Sequence, residues 1–256
     1  MSEGANRATL WIASRTTGVD PGTPLLGLPL LRRAVLAGER AGFSRILVEG
    51  IPGQDLGDLI AETRAEILHA ADPAPELPQG RLVVLSSTVV GQTRWLRELR
   101  LMPVEPGRLE LDPGCAAILD TEDPGAAVSV LRGRGGQDAL ETLSRRFPPA
   151  SGHLSSRDRF EIAGTPDLRR AEDWLLRGLV KDTEGFMSRH VERRISLAIS
   201  RRLAGTRVTP NAMTFVSVTV GLAGAALFLS PSAWAPLAGA LLVLGHSILD
   251  GCDGEL

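Results

Sequence analysis

The stretch "ATLWIAS" at residues 8–14 begins the pattern that decides the fold of this chain. It is an uncharged, largely apolar run, typical of a buried strand. It is followed by "PLLRRAVLAGERAG" (29–42), whose apolar residues gather near one face of an amphipathic helix, and then by "RILVEG" (45–50), a second strand. Strands separated by helices of this length indicate a parallel sheet with helices on its faces.

The alternation continues along the chain. It predicts a helix at "DLGDLIAETRAEILHAAD" (55–72), a third strand at "RLVVLSS" (81–87), a third helix at "TRWLRELRLM" (93–102) and a closing helix at "TPDLRRAEDWLLRGLV" (165–180) that starts at Pro166. We therefore predict a Rossmann-like α/β fold for residues 1–179, with three layers built on a parallel sheet.

Composition narrows the possible partners and compartments. The chain has 256 residues and a net charge of −2, so it has no bulk attraction to nucleic acid, and none is expected as a partner. Its two cysteines, Cys115 and Cys252, lie in regions of different character, which argues against a disulfide framework or a zinc site. The first residues, "MSEGANRATLWIAS", lack the pattern of a signal peptide, so the first region is expected in the cytoplasm.

A long uncharged run sets the last part of the chain apart. No Asp, Glu, Lys or Arg occurs from Val208 to Leu249. The segment 211–230 is long enough to cross a hydrocarbon core of about 30 Å at about 1.5 Å per residue, and a second, shorter apolar segment follows at 237–250. Two transmembrane helices are predicted, with a buried hairpin in a soluble protein as the alternative. The preceding arginines place the N-terminal domain and Asp250 on the cytoplasmic side of a multi-pass inner-membrane protein.

Residues 180–207 link these two regions. Their apolar residues fall near one helical face and are flanked by arginines that include Arg189 and Arg193. This pattern favours an amphipathic helix in the lipid interface, and an ordinary surface helix packed on the soluble domain is the alternative. The predicted organisation is therefore a domain at 1–179, a juxtamembrane helix at 180–207 and a membrane domain that begins at 208–256.

Two aspartates follow the second apolar segment. Asp250 and Asp253 are three residues apart, so on a helix they share one face. Paired carboxylates repel each other unless a cation lies between them, and a hard divalent ion such as Mg²⁺ is the natural partner. The alternative is that both simply lie in water beyond the apolar segment. His246, one turn before Asp250, is predicted to be structural, because Mg²⁺ prefers oxygen ligands; replacing it with Ala should leave metal dependence unchanged.

The same residues resemble a known family. Residues 250–256, "DGCDGEL", match the first seven positions of D-x-x-D-G-x-x-A-R, the signature of the CDP-alcohol phosphotransferases (phosphatidyltransferases). "VTPNAMT" (208–214) resembles the T-P-N-x-x-T start of their first membrane helix. "VKDTEGFMSRHVERRIS" (180–196) resembles the basic juxtamembrane element of members fused to an N-terminal nucleotidyltransferase-like domain, the bifunctional inositol-phosphate cytidylyltransferase and di-myo-inositol-phosphate-phosphate synthase type.

The resemblance implies a function. Such enzymes move a substituted phosphate group from a CDP-alcohol to the hydroxyl of an alcohol or sugar-phosphate acceptor and release CMP, in phospholipid or inositol-phosphate biosynthesis. It implies that Asp250 and Asp253 are catalytic and bind Mg²⁺ or Mn²⁺, and that the bilayer is a partner; a homodimer is left open. The substrate-binding positions implied are Asn211, Gly254, Arg189 and Arg193. Because the signature continues past Leu256, the resemblance also implies an incomplete fragment that is inactive alone.

The N-terminal domain departs from the nucleotidyltransferase pattern. No Gly-x-Gly-x-Arg run follows the first strand, and no lysine occurs before Lys181. "VVLSSTVV" (83–90) has hydroxyls where a metal-binding aspartate is expected. We therefore predict a degenerate, non-catalytic domain. Two alternatives stay open: a working bifunctional cytidylyltransferase and phosphotransferase, and a membrane-anchored scaffold protein without catalysis.

Overall fold

The structure is a computed structural model that describes residues 8–14, 18–150, 154, 157–178, 195 and 210–253. The chain divides into two units, Met1–Ala171 and Glu172–Leu256. The predicted juxtamembrane helix at 180–207 lies outside the described residues, except for Ile195.

A six-stranded mixed sheet forms the centre of the first unit, in the order β5-β4-β1-β6-β9-β8. Its strands are β1 (Thr9–Ala13), β4 (Arg45–Glu49), β5 (Ala65–Leu68), β6 (Gly80–Ser86), β8 (Leu109–Asp112) and β9 (Ala116–Thr121). The four strands from β5 to β6 run parallel, with Leu10 of β1 opposite both Ile46 and Val83. Two short antiparallel pairs accompany the sheet: β2 (Pro24–Leu25) with β3 (Leu28–Pro29), and β7 (Val89–Gly91) with β10 (Arg159–Glu161).

Helices cover both faces of this sheet. They are α1 (Leu30–Ala41), α2 (Gly57–Ile60), α3 (Thr93–Leu101), α4 (Pro124–Leu131) and α5 (Gly136–Arg146), followed by α6 (Asp167–Gly178). Leu10 and Ile12 of β1 lie in a buried cluster with residues of α1 and α3, and Trp11 lies in a second cluster with residues of α4 and α5. Alternate residues of one strand thus enter opposite cores, which confirms the predicted three layers.

Local sequence explains the elements that were predicted correctly. Every residue of β1 is buried, as an uninterrupted apolar run in a parallel sheet requires. Helix α1 ends where Gly42 adopts a left-handed conformation, with φ 87°. Helix α4 begins with Pro124. Asp123 is its N-cap, and the Asp123 side chain accepts a hydrogen bond of 2.8 Å from the Ala126 N–H.

The predicted helix at 55–72 is wrong. Only Gly57–Ile60 is helical, and the chain then turns through Glu62, whose φ is 63°. Residues Ala65–Leu68 form β5, which pairs in parallel with β4. By pairing with β4, the backbone of this segment satisfies its N–H and C=O groups. Its side chains Ile67 and Leu68 then pack against the two opposite cores. This pairing overrides the local helical pattern.

The prediction of a parallel sheet holds for only part of the sheet. Strand β9 runs antiparallel to β6, and β8 runs antiparallel to β9. Only a short turn separates β8 from β9, and such a connection can join antiparallel but not parallel strands. Helix α6 also begins at Asp167, one residue later than predicted.

Two helices make up the described part of the second unit after Ile195: α7 (Pro210–Leu227) and α8 (Ala235–Asp253). They coincide closely with the two predicted apolar segments. Within the part of the chain that the structure describes, however, neither helix combines the length and apolarity that crossing a bilayer requires. The transmembrane assignment is therefore not confirmed.

Candidate functional site

Helices α7 and α8 pack through glycine. A Cβ atom added to Gly239 would lie 2.9 Å from the carbonyl oxygen of Gly224, and one added to Gly224 would lie 3.1 Å from the carbonyl oxygen of Gly239. The two backbones are therefore close enough that any side chain at Gly239 would push them apart. This contact fixes the middle of the helix pair.

A hydrogen-bonded pair joins the same helices at Ser217, seven residues before Gly224, and at His246, seven residues after Gly239. The Oγ atom of Ser217 lies 2.7 Å from Nδ1 of His246, and the Ser217 carbonyl oxygen lies 2.9 Å from the same nitrogen. Contacts of Gly224 with Gly239 and of Ser217 with His246 show that the helices run antiparallel. The start of α7 and the end of α8 therefore lie at the same end of the pair.

Three of the predicted site residues lie at this end, which we call the aspartate end: Asn211 at the start of α7, and Asp250 and Asp253 at the end of α8. Asn211 and Asp250 are exposed, and Asp250 makes no hydrogen bond or ion pair with the described residues. Asp253 is the last residue of α8, although its side chain is not described. The antiparallel pair thus places at one end an amide and a carboxylate that are 39 residues apart in the sequence.

Other predicted site residues cannot be placed. Gly254, Arg189 and Arg193 lie outside the described residues. Among the residues that are described, no group of three or more His, Cys, Asp or Glu side chains is arranged to hold a metal ion. The predictions for these positions and for a metal site therefore stay predictions.

The carboxyl ends of β1, β4 and β6 form a second candidate site, because open parallel sheets bind ligands at this edge. Glu49, the last residue of β4, is the central group here and was missed by sequence reasoning. Its side chain is only 4% exposed. The Ser14 N–H donates to one carboxylate oxygen and the Gly133 N–H to the other, each over 2.7 Å, while the Ser14 hydroxyl donates to the Glu49 carbonyl oxygen over 2.6 Å.

Burial controls the ionisation of Glu49. It raises the pKa of this carboxyl group above the usual value for glutamate, and the backbone hydrogen bonds from Ser14 and Gly133 oppose the shift without cancelling it. The group ties the ends of two strands to the loop before α5. Its only sequence signal is a charged residue that ends an otherwise apolar strand, directly before Gly50.

Helix α5 closes the same edge. A Cβ atom added to Gly136, its first residue, would lie 2.7 Å from the Ser86 hydroxyl and 3.6 Å from the Ala13 carbonyl oxygen. Ser86 in turn lies 3.0 Å from the Thr88 hydroxyl. The protein's own helix α5 therefore packs closely against the ends of β1 and β6.

A third group of polar side chains surrounds the buried thiol of Cys115. Its sulfur lies 3.8 Å from a carboxylate oxygen of Glu161, and Arg159 forms a two-pronged ion pair with the nearby Asp112. Burial raises the pKa of the Cys115 thiol to about 12, which Arg159 opposes and the two carboxylates reinforce. A thiol with this pKa is protonated at neutral pH, so this group is not a nucleophile.

These features define the class of the molecule: a mixed α/β domain followed by an antiparallel pair of apolar helices that carries aspartates at one end. The chain is 48% identical over 94 residues to a protein from Thermococcus kodakarensis named "Bifunctional IPC transferase and DIPP synthase", a match that covers 36% of this chain and 21% of that protein. Proteins of the same name from Archaeoglobus fulgidus and Rubrobacter xylanophilus are 47% identical over 92 residues and 35% identical over 140 residues. These two matches cover 35% and 51% of this chain and 18% and 31% of those proteins.

The relatives confirm the predicted resemblance to phosphotransferases fused to a nucleotidyltransferase-like domain. The matched segments span only between 18% and 31% of the relatives' own lengths. No family model matches the chain. Among solved structures, a nucleotidyl transferase from Methanothermobacter thermautotroptrophicus has a TM-score of 0.45 and 14% sequence identity, over 67% of this chain and 97% of that one.

Proposed function

We propose that this chain carries the start of a membrane CDP-alcohol phosphotransferase domain behind a non-catalytic α/β domain. The full-length enzyme transfers a substituted phosphate group from a CDP-alcohol to an acceptor hydroxyl and releases CMP. The observation that carries the proposal is the aspartate end, where an exposed Asp250, which no described residue engages, lies at the same end of the helix pair as Asn211. The names of the relatives support the same class of chemistry.

Asp250 and Asp253 are the proposed metal ligands. Carboxylate oxygens are hard donors of the kind that Mg²⁺ and Mn²⁺ prefer, and the Asp250 carboxylate is not engaged by any described residue. When bound, the ion neutralises charge on the phosphoryl oxygens of the CDP-alcohol. The chain's own contribution is to hold the two carboxylates on one helix face and to present the Asn211 amide beside them. Arg189, Arg193 and Gly254 remain the other proposed substrate-binding residues.

The helix pair is proposed to lie in the inner membrane, with the aspartate end and the α/β domain on the cytoplasmic side. Its surface supports this location. The large apolar side chains Phe215, Leu229 and Trp234 are at least three-quarters exposed, and no charged residue occurs in either helix before Asp250. Exposed apolar patches of this kind mark membrane or protein contacts in a native protein.

The α/β domain is proposed to organise the membrane domain rather than to catalyse. Its sheet edge is covered by α5 and by the Glu49 hydrogen bonds, which supports a structural role. A bifunctional enzyme is the second candidate, because the relatives carry the word "Bifunctional" in their names. In that case the α/β domain would form a CDP-alcohol from CTP and release pyrophosphate.

One experiment addresses both candidates. Full-length protein in native membranes would be given Mg²⁺ with a panel of CDP-alcohols and acceptors, and CMP release would be measured. A parallel reaction would supply CTP with sugar phosphates, and pyrophosphate release would be measured. We expect CMP without pyrophosphate. Pyrophosphate release would favour the bifunctional enzyme, and absence of CMP release with every donor and acceptor would refute the phosphotransferase proposal.

A further inference from the structure

The polar link between α7 and α8 lies outside the aspartate signature. Ser217 is 1% exposed, so its hydroxyl is buried within a mostly apolar helix. A buried hydroxyl in apolar surroundings is costly unless it is hydrogen-bonded. His246 supplies the partner. Further along the pair, Gly224 packs against Leu242 and Val243.

The geometry fixes the proton on the imidazole. Nδ1 of His246 lies 2.9 Å from the Ser217 carbonyl oxygen, which can only accept a hydrogen bond. Nδ1 must therefore carry the hydrogen, and in the neutral ring Nε2 is the unprotonated nitrogen. The Ser217 hydroxyl can then accept from Nδ1 over 2.7 Å and donate to the His246 carbonyl oxygen over 3.3 Å.

The ring is also held sterically. A Cβ atom added to Gly221, one turn after Ser217, would lie between 3.1 and 3.3 Å from three ring atoms of His246. The imidazole is thus seated against the glycine while it is hydrogen-bonded to the serine. Rotation of α8 by a single residue turns a side chain by about 100° and would break both contacts.

His246 lies one helical turn before Asp250, so the two side chains leave α8 on the same face. Whatever fixes the rotation of α8 at His246 also fixes the direction of Asp250 relative to α7. Asp250 itself has no hydrogen-bond partner among the described residues that could set this direction. The Ser217–His246 pair is a polar constraint on the same face of α8, one turn away from Asp250.

We propose that Ser217 and His246 are positioning residues that orient the aspartate end of α8 against α7. The proposal rests on the phosphotransferase function proposed above and goes beyond its signature residues. His246 is not a metal ligand in this account: Asp250 and Asp253 belong to the same helix, so their mutual spacing survives a rotation of α8. What the rotation changes is their placement relative to Asn211 and the acceptor.

The test separates positioning from ligation. His246→Leu in the full-length enzyme should lower kcat for CMP release about tenfold or more, because misplaced catalytic groups lose rate steeply. The Mg²⁺ concentration for half-maximal activity should stay unchanged. His246→Asn, which keeps an N–H donor near the place of Nδ1, should restore most of kcat, and Ser217→Ala should have a smaller effect, because the carbonyl acceptor remains.

Two further readouts keep the proposal falsifiable. Nitrogen NMR of the histidine-labelled wild-type chain in micelles should show a protonated Nδ1 and an unprotonated Nε2 for His246, assigned by the signal that disappears in His246→Asn. Mn²⁺ affinity, measured by electron paramagnetic resonance, should be alike in wild type and His246→Leu. Normal kcat in His246→Leu, an Nε2–H tautomer or a loss of Mn²⁺ binding in that variant would each overturn the proposal. A wild-type enzyme without CMP release would instead refute the underlying function.

Discussion

The α/β domain and the helix pair differ in how far their large apolar side chains are exposed. In the α/β domain the largest apolar groups, Trp11 and Trp95, are fully buried, whereas Trp234, in the connection between α7 and α8, is 77% exposed. The domain therefore has a core of its own, while the helix pair presents apolar surface that needs an apolar environment or partner. Stability resides in the first region through packing, and in the second through close backbone contact.

The two regions also differ in whether the acidic side chains compared here have hydrogen-bond or ion-pair partners. Glu49 is held by backbone amides, Asp112 by Arg159, and Asp120 by a two-pronged ion pair with Arg81 at 2.8 Å. These carboxylates are engaged in holding the fold. Asp250 has no such partner among the described residues, so it is free to bind an ion or a substrate. The three buried or half-buried acids of the α/β domain thus hold the fold, whereas the exposed Asp250 does not.

The largest expected effect on stability comes from truncating a buried side chain in the core of the α/β domain. Trp95→Ala should cost roughly 3–5 kcal/mol in the free energy of unfolding, because it leaves a cavity beside Gly91 and the strands it covers. Urea unfolding of the chain in detergent, followed by far-ultraviolet circular dichroism, would measure it. Trp234→Ala is the matched control and should cost less than about 0.5 kcal/mol. Equal costs for the two tryptophans would contradict the contrast drawn between the regions.

A smaller effect is expected when the helix contact is disturbed. Gly239→Ala places a methyl group 2.9 Å from the Gly224 carbonyl oxygen and should destabilise the pair by about 1–3 kcal/mol. Gly245 is on the same helix with nothing within 4 Å of an added Cβ, so Gly245→Ala should be neutral or stabilise by up to about 1 kcal/mol. Hydrogen exchange of the α7 amides in micelles would report both. Equal protection in the two variants would show that glycine contact does not hold the pair together.

The buried carboxyl group predicts a pH dependence. Because burial raises the pKa of Glu49 above its ordinary value of 4.5, the folded chain keeps a proton that the unfolded chain releases as pH rises. The stabilising contribution of Glu49 is therefore full below about pH 4.5 and is lost as pH rises through the folded pKa. Glu49→Gln lacks this titration. The difference in free energy of unfolding between wild type and Glu49→Gln should move against wild type over this window; a difference that grows in favour of wild type would mean a lowered pKa.

The smallest expected effect concerns the thiol of Cys115. With its pKa raised to about 12, the folded protein should react negligibly with a disulfide reagent at pH 8 in a Cys252→Ser background. Unfolding in denaturant should restore rapid reaction of one thiol. A fast reaction of the folded chain would show that Cys115 is accessible and ionised, and that the polar group around it is not closed.

The local sequence pattern predicted those elements whose apolar spacing alone shows which residues are buried. Strand β1 and helix α1 follow directly from their apolar spacing, and the two apolar helices follow from the uncharged run. Strand β5 could not be predicted in this way, because its pairing with β4 depends on a turn at Glu62 for which the sequence has no turn signal. The antiparallel strands β8 and β9 lie in a Pro- and Gly-rich region where periodicity is weak.

The candidate sites divide in the same way. Asp250 and Asn211 were predicted because each belongs to a short local motif. Glu49 and its partner Gly133 are 84 residues apart, and Ser217 and His246 are 29 apart, so no local pattern connects either pair. Long-range hydrogen bonds of this kind appear only when the fold brings their elements together.

The most direct test of the central claim compares carboxylates in the two regions by activity. In the full-length protein in membranes, with saturating Mg²⁺ and CDP-alcohol, Asp250→Asn and Asp253→Asn should each lower CMP release by at least about a hundredfold, because the change keeps the volume and removes the charge that holds the ion. Asp138→Asn, an exposed acid of α5, is the control and should leave turnover unchanged. Near-normal CMP release by both Asp250→Asn and Asp253→Asn would contradict the account.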